Sequence, residues 1–173
     1  MSKKCDYIDG LEAVKMGKGG EKMLIKEDGG FSGLDELIAS IEEAISREES
    51  EIYTEKTLEE AYNPKNAGEL RNPDGVARIT GPCGDTMQMH IKVYRDKIMD
   101  SKFITDGCGA SIACGSVVTE MVKGKTIEEA FMVENKDILS ILGDLPEEHL
   151  HCPVLALNTL RAALGDYKNK KGE

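Results

Sequence analysis

Three cysteines in unlike surroundings carry most of the chemistry that this 173-residue chain can offer: Gly81-Pro82-Cys83-Gly84-Asp85, Asp106-Gly107-Cys108-Gly109 and Leu150-His151-Cys152-Pro153. Each lies at a turn marked by glycine or proline rather than inside an apolar run, so each thiol can be exposed while the flanking segments hold its backbone. Two of the turns bring a second donor, Asp85 and His151. Three thiolates with a carboxylate and an imidazole form a donor set for a soft transition metal or an iron-sulfur cluster.

Zinc fingers and ribbons take their ligands as close pairs, such as Cys-x2-Cys on one knuckle. Here 24 residues separate Cys83 from Cys108 and 43 separate Cys108 from Cys152. Only a folded domain can bring such distant turns together, so metal ligation is expected to follow from the native fold rather than to cause it. Length agrees, because 173 residues can bury a core without cross-links or metal.

The formal charge of −10, from 32 acidic and 22 basic side chains, repels phosphates and argues against nucleic acid or an anionic membrane as partner. No apolar run reaches the length of a membrane span, and Met1–Gly10 lacks the apolar stretch of a secretory signal. Residues 1–55 hold 14 acidic groups and a single arginine, Arg47, unlike a mitochondrial transit peptide. A cytoplasmic location is the expectation, and there five cysteines read as reduced thiols or metal ligands rather than a disulfide framework.

Several elements must position these turns. Residues 1–33 hold seven glycines and little periodicity beyond a hint of a strand at Lys22–Lys26, the composition of a flexible or loosely docked segment. Leu34, Leu37, Ile38, Ile41 and Ile45 then fall at helical spacing, predicting an amphipathic helix over 34–50 whose stripe packs on the rest of the chain. A short helix is expected from Thr57, capped reciprocally by Glu60 and ended before Asn63-Pro64. Met87, Met89, Ile91 and Val93 alternate with polar residues as a half-buried strand does, a weaker alternation covers 98–105, and Val76–Thr80 supplies a third strand. The short connections imply an antiparallel meander.

After Cys108 helical spacing takes over, with Cys114, Val118, Met121 and Val122 along one face as far as Gly124. Thr126 and Glu129 form a capping box for a helix to about Val133, and Ile138–Leu142 is a less regular apolar stretch before a break at Gly143–Pro146. A last helix begins with Pro153 in its first turn and aligns Leu157, Leu160, Leu164 and Tyr167. The class is α+β, a small three-stranded antiparallel sheet with helices on one side, plus an N-terminal extension with one amphipathic helix. Cys108 and Cys152 each precede a predicted helix, whose free amides favour negative charge, so both thiols are expected to ionise more readily than usual.

At these residues the chain resembles the IscU/NifU (NifU N-terminal domain) family of iron-sulfur cluster assembly scaffolds. The resemblance runs through Tyr53-Thr54-Glu55-Lys56, Ala61–Asn66, Cys83-Gly84-Asp85, Gly107–Ser111, Val118–Lys125 and Leu150-His151-Cys152, about two thirds of the chain. It implies a scaffold domain over 53–168, between an extension at 1–52 and a tail at 169–173. It implies assembly of a [2Fe-2S] cluster from iron and sulfur supplied by a cysteine desulfurase, with transfer to apo-proteins and no enzymatic turnover. Cys83, Cys108 and Cys152 become cluster ligands, Asp85 or His151 completes the coordination, and Cys152 is the chief sulfur acceptor. A ferredoxin or frataxin-like protein, a homodimer when cluster-loaded and zinc in the resting form belong to the same implication. Leu145-Pro146-Glu147-Glu148-His149 departs from the Leu-Pro-Pro-Val-Lys chaperone-docking motif of many members, which argues against a dedicated Hsp70 chaperone.

The other candidates read as structural. Cys114, six positions beyond Cys108, points about 120° away on a helix and reads as a small buried apolar residue, while Cys5 has no expected partner. His90 falls on the polar sheet face and His149 in a turn; both read as solvated, with His149 able to support its neighbour His151. Met87 and Met89 follow the strand period into the core. Two functions of other classes use the same groups: a zinc-binding regulatory or adaptor protein that keeps its metal, and a sulfurtransferase with Cys152 as nucleophile and His151 as base, ranked last because adjacent residues seldom orient well for that pairing.

Overall fold

The alternation over 87–93 becomes the middle strand of a sheet because only one of its faces is apolar. In a computed structural model that describes residues 32–172, β1 (Gly75–Thr80), β2 (Thr86–Tyr94) and β3 (Lys97–Thr105) form an antiparallel meander in the order β1-β2-β3. Met87, Met89 and Ile91 are fully buried on the inner face. The β2–β3 turn is a two-residue loop, Arg95-Asp96, with both φ values positive (49° and 62°), as the tightest hairpins require. β3 reads weakly in sequence for a physical reason. Lys92 pairs with Asp100 and Val93 with Ile98, so Met99 is an extra, exposed residue that returns Ile98 to the core face.

Two helices cover the inner face: α3 (Gly109–Met121) lies along β3 and α6 (His151–Lys171) along β1 and β2. α3 is buried on nearly every side, from Ala110 to Thr119, rather than along the single face expected. Its approach to the sheet depends on Gly115, where a Cβ would stand 2.5 Å from the Phe103 ring. α4 (Ile127–Phe131) opens with the expected Thr126–Glu129 capping box. The irregular-looking stretch at 138–142 is part of a helix, α5 (Asn135–Leu142), with its own reciprocal cap between Glu134 and Asp137. α6 continues to Lys171 and closes at Gly172 in the left-handed region, so most of the expected tail is helical.

α2 (Glu55–Tyr62) begins two residues before the position expected for it. Thr54 is the cap, its Oγ1 accepting the Thr57 amide at 3.1 Å. Thr57 is buried and its hydroxyl donates to the Leu142 carbonyl. Glu60 caps nothing: 2 % exposed, it accepts from Ser116 Oγ (2.6 Å) and Lys65 Nζ (2.8 Å) and pairs with Lys56 (2.9 Å). Burial alone would raise the Glu60 pKa, but the bonds from Lys65, Ser116 and Lys56 outweigh it and bring it from 4.5 to about 2. This carboxylate fastens α2 to α3.

His90 corrects a second expectation. It is 5 % exposed on the outer face, because the segment after α2 crosses over it. The Leu70 amide donates to His90 Nδ1 (3.0 Å), so Nε2 carries the proton and faces the Gln88 amide group at 2.6 Å. The same segment borders the sheet, with the Phe103 amide donating to the Asn66 carbonyl and the Gly68 amide to the Phe103 carbonyl. No helix among the described residues is long and apolar enough to cross a membrane.

α1 (Ser32–Ile52) is a helix as its periodicity predicts, but its stripe does not pack on the scaffold. Leu34, Leu37, Ile38, Ile41 and Ile45 are each between 46 % and 55 % exposed. The helix meets α2 near its C-terminal end, where Tyr62 donates to Glu49 at 2.5 Å. The expected Gly-rich segment, the Lys22–Lys26 strand and Cys5 lie outside the described residues.

Two stability measurements follow. The double variant Ile41→Asp/Ile45→Asp changes the unfolding free energy by less than about 0.5 kcal/mol, as for surface sites, whereas a packed stripe would lose several times that. Glu60→Gln lowers stability at pH 7 by about 2 kcal/mol. Because the folded pKa is depressed, the charge-dependent stabilisation is complete above about pH 4.5 and is lost as pH falls toward about 2. The gap between wild type and variant in urea unfolding therefore narrows across that window.

Candidate metal and sulfur site

One end of the sheet gathers the three cysteine turns. Cys83 sits in the β1–β2 connection, closed by hydrogen bonds from Gly81 N–H to the Asp85 carbonyl (2.8 Å) and from Gly84 N–H to the Gly81 carbonyl (3.1 Å), with Gly84 at φ +94°. Its thiol is exposed. Cys108 is the exposed N-cap residue of α3, its carbonyl accepting the Ile112 amide at 3.0 Å. Cys152 is the second residue of α6, with His151 as the first and the short 3-10 turn Glu147–His149 just upstream.

Asp85 and Ser111 connect the three turns. Asp85 Oδ2 accepts from Ser111 Oγ (3.0 Å) and, at longer range, from the Cys108 amide (3.4 Å) at the start of α3. Ser111, fully buried, also lies 3.4 Å from Cys152 Sγ and 3.8 Å from Cys108 Sγ. Its single hydroxyl proton serves one acceptor at a time, so the Asp85 carboxylate and the Cys152 sulfur compete for it, while the Cys108 thiol donates to the Ser111 oxygen. The approach is so close that a Cβ at Gly107 would fall 2.6 Å from Asp85 Oδ2 and 2.7 Å from Ser111 Cβ.

Two groups of donor atoms result. Cys83, Asp85 and His151 each place a donor within 4.8 Å of the others, and so do Cys108, His149 and Cys152. The groups adjoin where His151 Nε2 stands 3.7 Å from Cys152 Sγ. Tetrahedral metals hold neighbouring sulfur and nitrogen ligands about 3.6–3.8 Å apart, so modest side-chain rotation would bring either group onto an ion. All five residues singled out in the sequence are therefore at one end of the molecule. His149 joins them, with Nδ1 3.6 Å from Cys108 Sγ. The signal that could have found it is the density of His149-Leu150-His151-Cys152, three donors in four residues.

Cys152 differs from expectation. It has no solvent exposure, and burial pushes its thiol pKa up to about 12, against the lowering influence of the Ser111 hydroxyl and with the nearby Cys108 and Asp85 raising it further. Helix-terminal amides alone suggested the opposite, but desolvation of the thiolate outweighs them. Cys114 is buried as expected, and burial, then Cys152 and Cys108, raise its thiol well above the usual range. Beside the site, Tyr53 packs its ring 5.7 Å from that of His149. Burial, with Cys108, Cys152, Glu148 and Glu49 in support, raises the phenol pKa and keeps it protonated. Among the described residues, a cavity of about 490 Å³ lined by Tyr53, Leu58, Ala61, Tyr62 and Ile112 opens beside Cys108.

Known proteins are similar to this chain in sequence and in fold. The family described as "NifU-like N terminal domain" matches residues 52–173. The chain is 44 % identical over 123 residues to the iron-sulfur cluster assembly scaffold protein IscU 1 of Archaeoglobus fulgidus, covering 70 % of this chain and 80 % of that one. It is 43 % identical over 124 residues to the protein of the same description, IscU, from Escherichia coli, covering 69 % and 96 %. The crystal structure of the N-terminal part of a nitrogen-fixing NifU-like protein from Brucella abortus shares the fold at a TM-score of 0.55 and 22 % identity, covering 69 % of this chain and 96 % of that one.

Thiol accessibility gives a direct check. In metal-free protein at pH 8, iodoacetamide modifies Cys83 and Cys108 at least about tenfold faster than Cys152 and Cys114, read by mass spectrometry of cysteine peptides. Equal rates at Cys152 and Cys83 would mean that the buried thiol is open in solution.

Proposed function

The chain belongs to the family of NifU-like N-terminal domains, and from that premise we propose that it is a scaffold on which iron and sulfur are assembled into a [2Fe-2S] cluster for transfer to apo-proteins. The observation that carries this reading is the convergence of Cys83, Asp85, Cys108, His151 and Cys152 from three distant segments. A two-iron, two-sulfide cluster needs four protein donors, two for each iron. Three thiolates with Asp85 or His151 supply them from one chain. The role is that of a carrier and acceptor rather than an enzyme.

Sulfur arrives from a cysteine desulfurase as a persulfide. The Cys152 thiolate attacks its terminal sulfur, a new S–S bond forms on Cys152, and the donor cysteine leaves as thiolate, with no net oxidation. Cys152 first has to give up its proton, which His151 Nε2, 3.7 Å away, can accept in the tautomer that carries its own proton on Nδ1. Each sulfur then takes two electrons to become sulfide, the step for which a ferredoxin-type donor is suited, while a frataxin-like protein would act at iron entry. Thiolates hold iron tightly, whereas the harder carboxylate and imidazole exchange more readily. That difference allows the finished cluster to leave. Reduced thiols are required throughout, as a cytoplasmic location provides.

A zinc adaptor would use the same donors, and no separate observation favours it. Anaerobic incubation with Fe(II), cysteine and a cysteine desulfurase gives a visible-absorbing cluster with a two-iron Mössbauer signature, which Cys83→Ser, Cys108→Ser or Cys152→Ser each abolishes. Asp85→Ala slows transfer to an apo-ferredoxin by at least about tenfold, because an exchangeable oxygen ligand is lost. A protein that retains zinc alone under these conditions would overturn the reading.

A further inference from the structure

The six donors at this end of the molecule do not form one ring. They divide into two tridentate sets, Cys83–Asp85–His151 and Cys108–His149–Cys152. We propose that His149 is a metal ligand, and that with Cys108 and Cys152 it binds one divalent transition-metal ion beside a second ion held by Cys83, Asp85 and His151. The chain would thus hold two metal ions before any sulfide arrives. This deepens the scaffold reading and takes its biological meaning from it.

Geometry carries the proposal. An ion with bonds of about 2.3 Å to sulfur and about 2.05 Å to nitrogen in tetrahedral coordination holds those two atoms about 3.6 Å apart. Cys108 Sγ and His149 Nδ1 are 3.6 Å apart. The third donor, Cys152 Sγ, is within 4.8 Å of both. Charge agrees as well: each set supplies two ionisable anionic donors and one neutral imidazole, which together neutralise one divalent ion. Two thiolates with an imidazole suit Fe(II), Co(II) or Zn(II) rather than a hard cation such as Mg(II).

The backbone holds His149 for this task. It closes the 3-10 turn Glu147–His149, with its amide donating to the Pro146 carbonyl at 2.8 Å and the Leu150 amide to the Glu147 carbonyl at 3.3 Å. The turn presents the ring to the N-terminus of α3 while His151, two residues on, serves the other set. The ring packs between Tyr53 (centroids 5.7 Å apart) and His151 (6.4 Å) and is half-buried. A solvated surface histidine would have neither neighbour. The competing role for His149 is a hydrogen-bond partner of the Cys108 thiol, which needs no metal.

Cobalt(II) alone, added anaerobically to the full metal-free chain, tests the proposal through thiolate-to-cobalt charge-transfer and d–d absorption. Wild type is expected to bind two equivalents. His149→Gln keeps one and binds the second at least about tenfold more weakly, while Cys83→Ser keeps the other. In fully loaded wild type, NMR shows a hyperfine-shifted, exchangeable ring N–H from His149, a signal independent of whether a variant folds. Binding of one equivalent by wild type, unchanged stoichiometry and affinity in His149→Gln, or an unshifted His149 ring would each overturn the inference. Reconstitution with desulfurase separates the two readings: a wild type that builds a cluster but binds one cobalt sinks only the two-ion site, and one that binds two cobalts but builds no cluster sinks only the scaffold.

Discussion

The site depends on the seating of the Asp85 carboxylate against the first turn of α3. Its Oδ2 meets the Ser111 hydroxyl at 3.0 Å and the Cys108 amide at 3.4 Å, in a gap that any side chain at Gly107 would fill. This contact joins the β1–β2 turn that carries Cys83 to the helix that begins at Cys108. Ser111 extends the link to Cys152 on α6. Three segments far apart in sequence are thereby held in register by one small polar cluster, and the surrounding core has only to keep α3 and α6 on the same face of the sheet.

The surroundings of the sulfurs are uneven, and the unevenness has a chemical use. Cys83 and Cys108 face solvent, while Cys152 is closed off and resists ionisation. A metal ion arriving at the open thiols can add the positive charge that a buried thiolate lacks. On the proposed scaffold reading, a metal ion bound at Cys83 and Cys108 would ease ionisation of the Cys152 thiol through electrostatics.

Much of this was legible locally. Strand period placed Met87, Met89 and Ile91 in the core, the Thr126–Glu129 box opened α4 as written, and the glycine- and proline-marked turns pointed to Cys83, Cys108 and Cys152. Three of the misses share one cause, tertiary contacts that override a local rule. Thr57 and Glu60 have capping-box spacing, yet Thr57 is buried under Leu142 and Glu60 is drawn to Ser116 and two lysines. His90 alternates onto the outer face, but the segment around Leu70 covers that face. Cys152 has a helix terminus in its favour and the core against it. The aliphatic stripe of α1 has the period of a packed helix, and period alone does not supply a surface to pack on.

The order of the donors along the chain has a bearing on how the protein is made. Cys83 and Cys108 leave the ribosome well before His151 and Cys152, and the latter reach the site only when α6 has docked on β1 and β2. Contacts of such long sequence separation form late in folding. A chain that lacks α6 therefore presents Cys83 and Cys108 without His151 and Cys152, so the donor set is complete only when the chain is nearly whole.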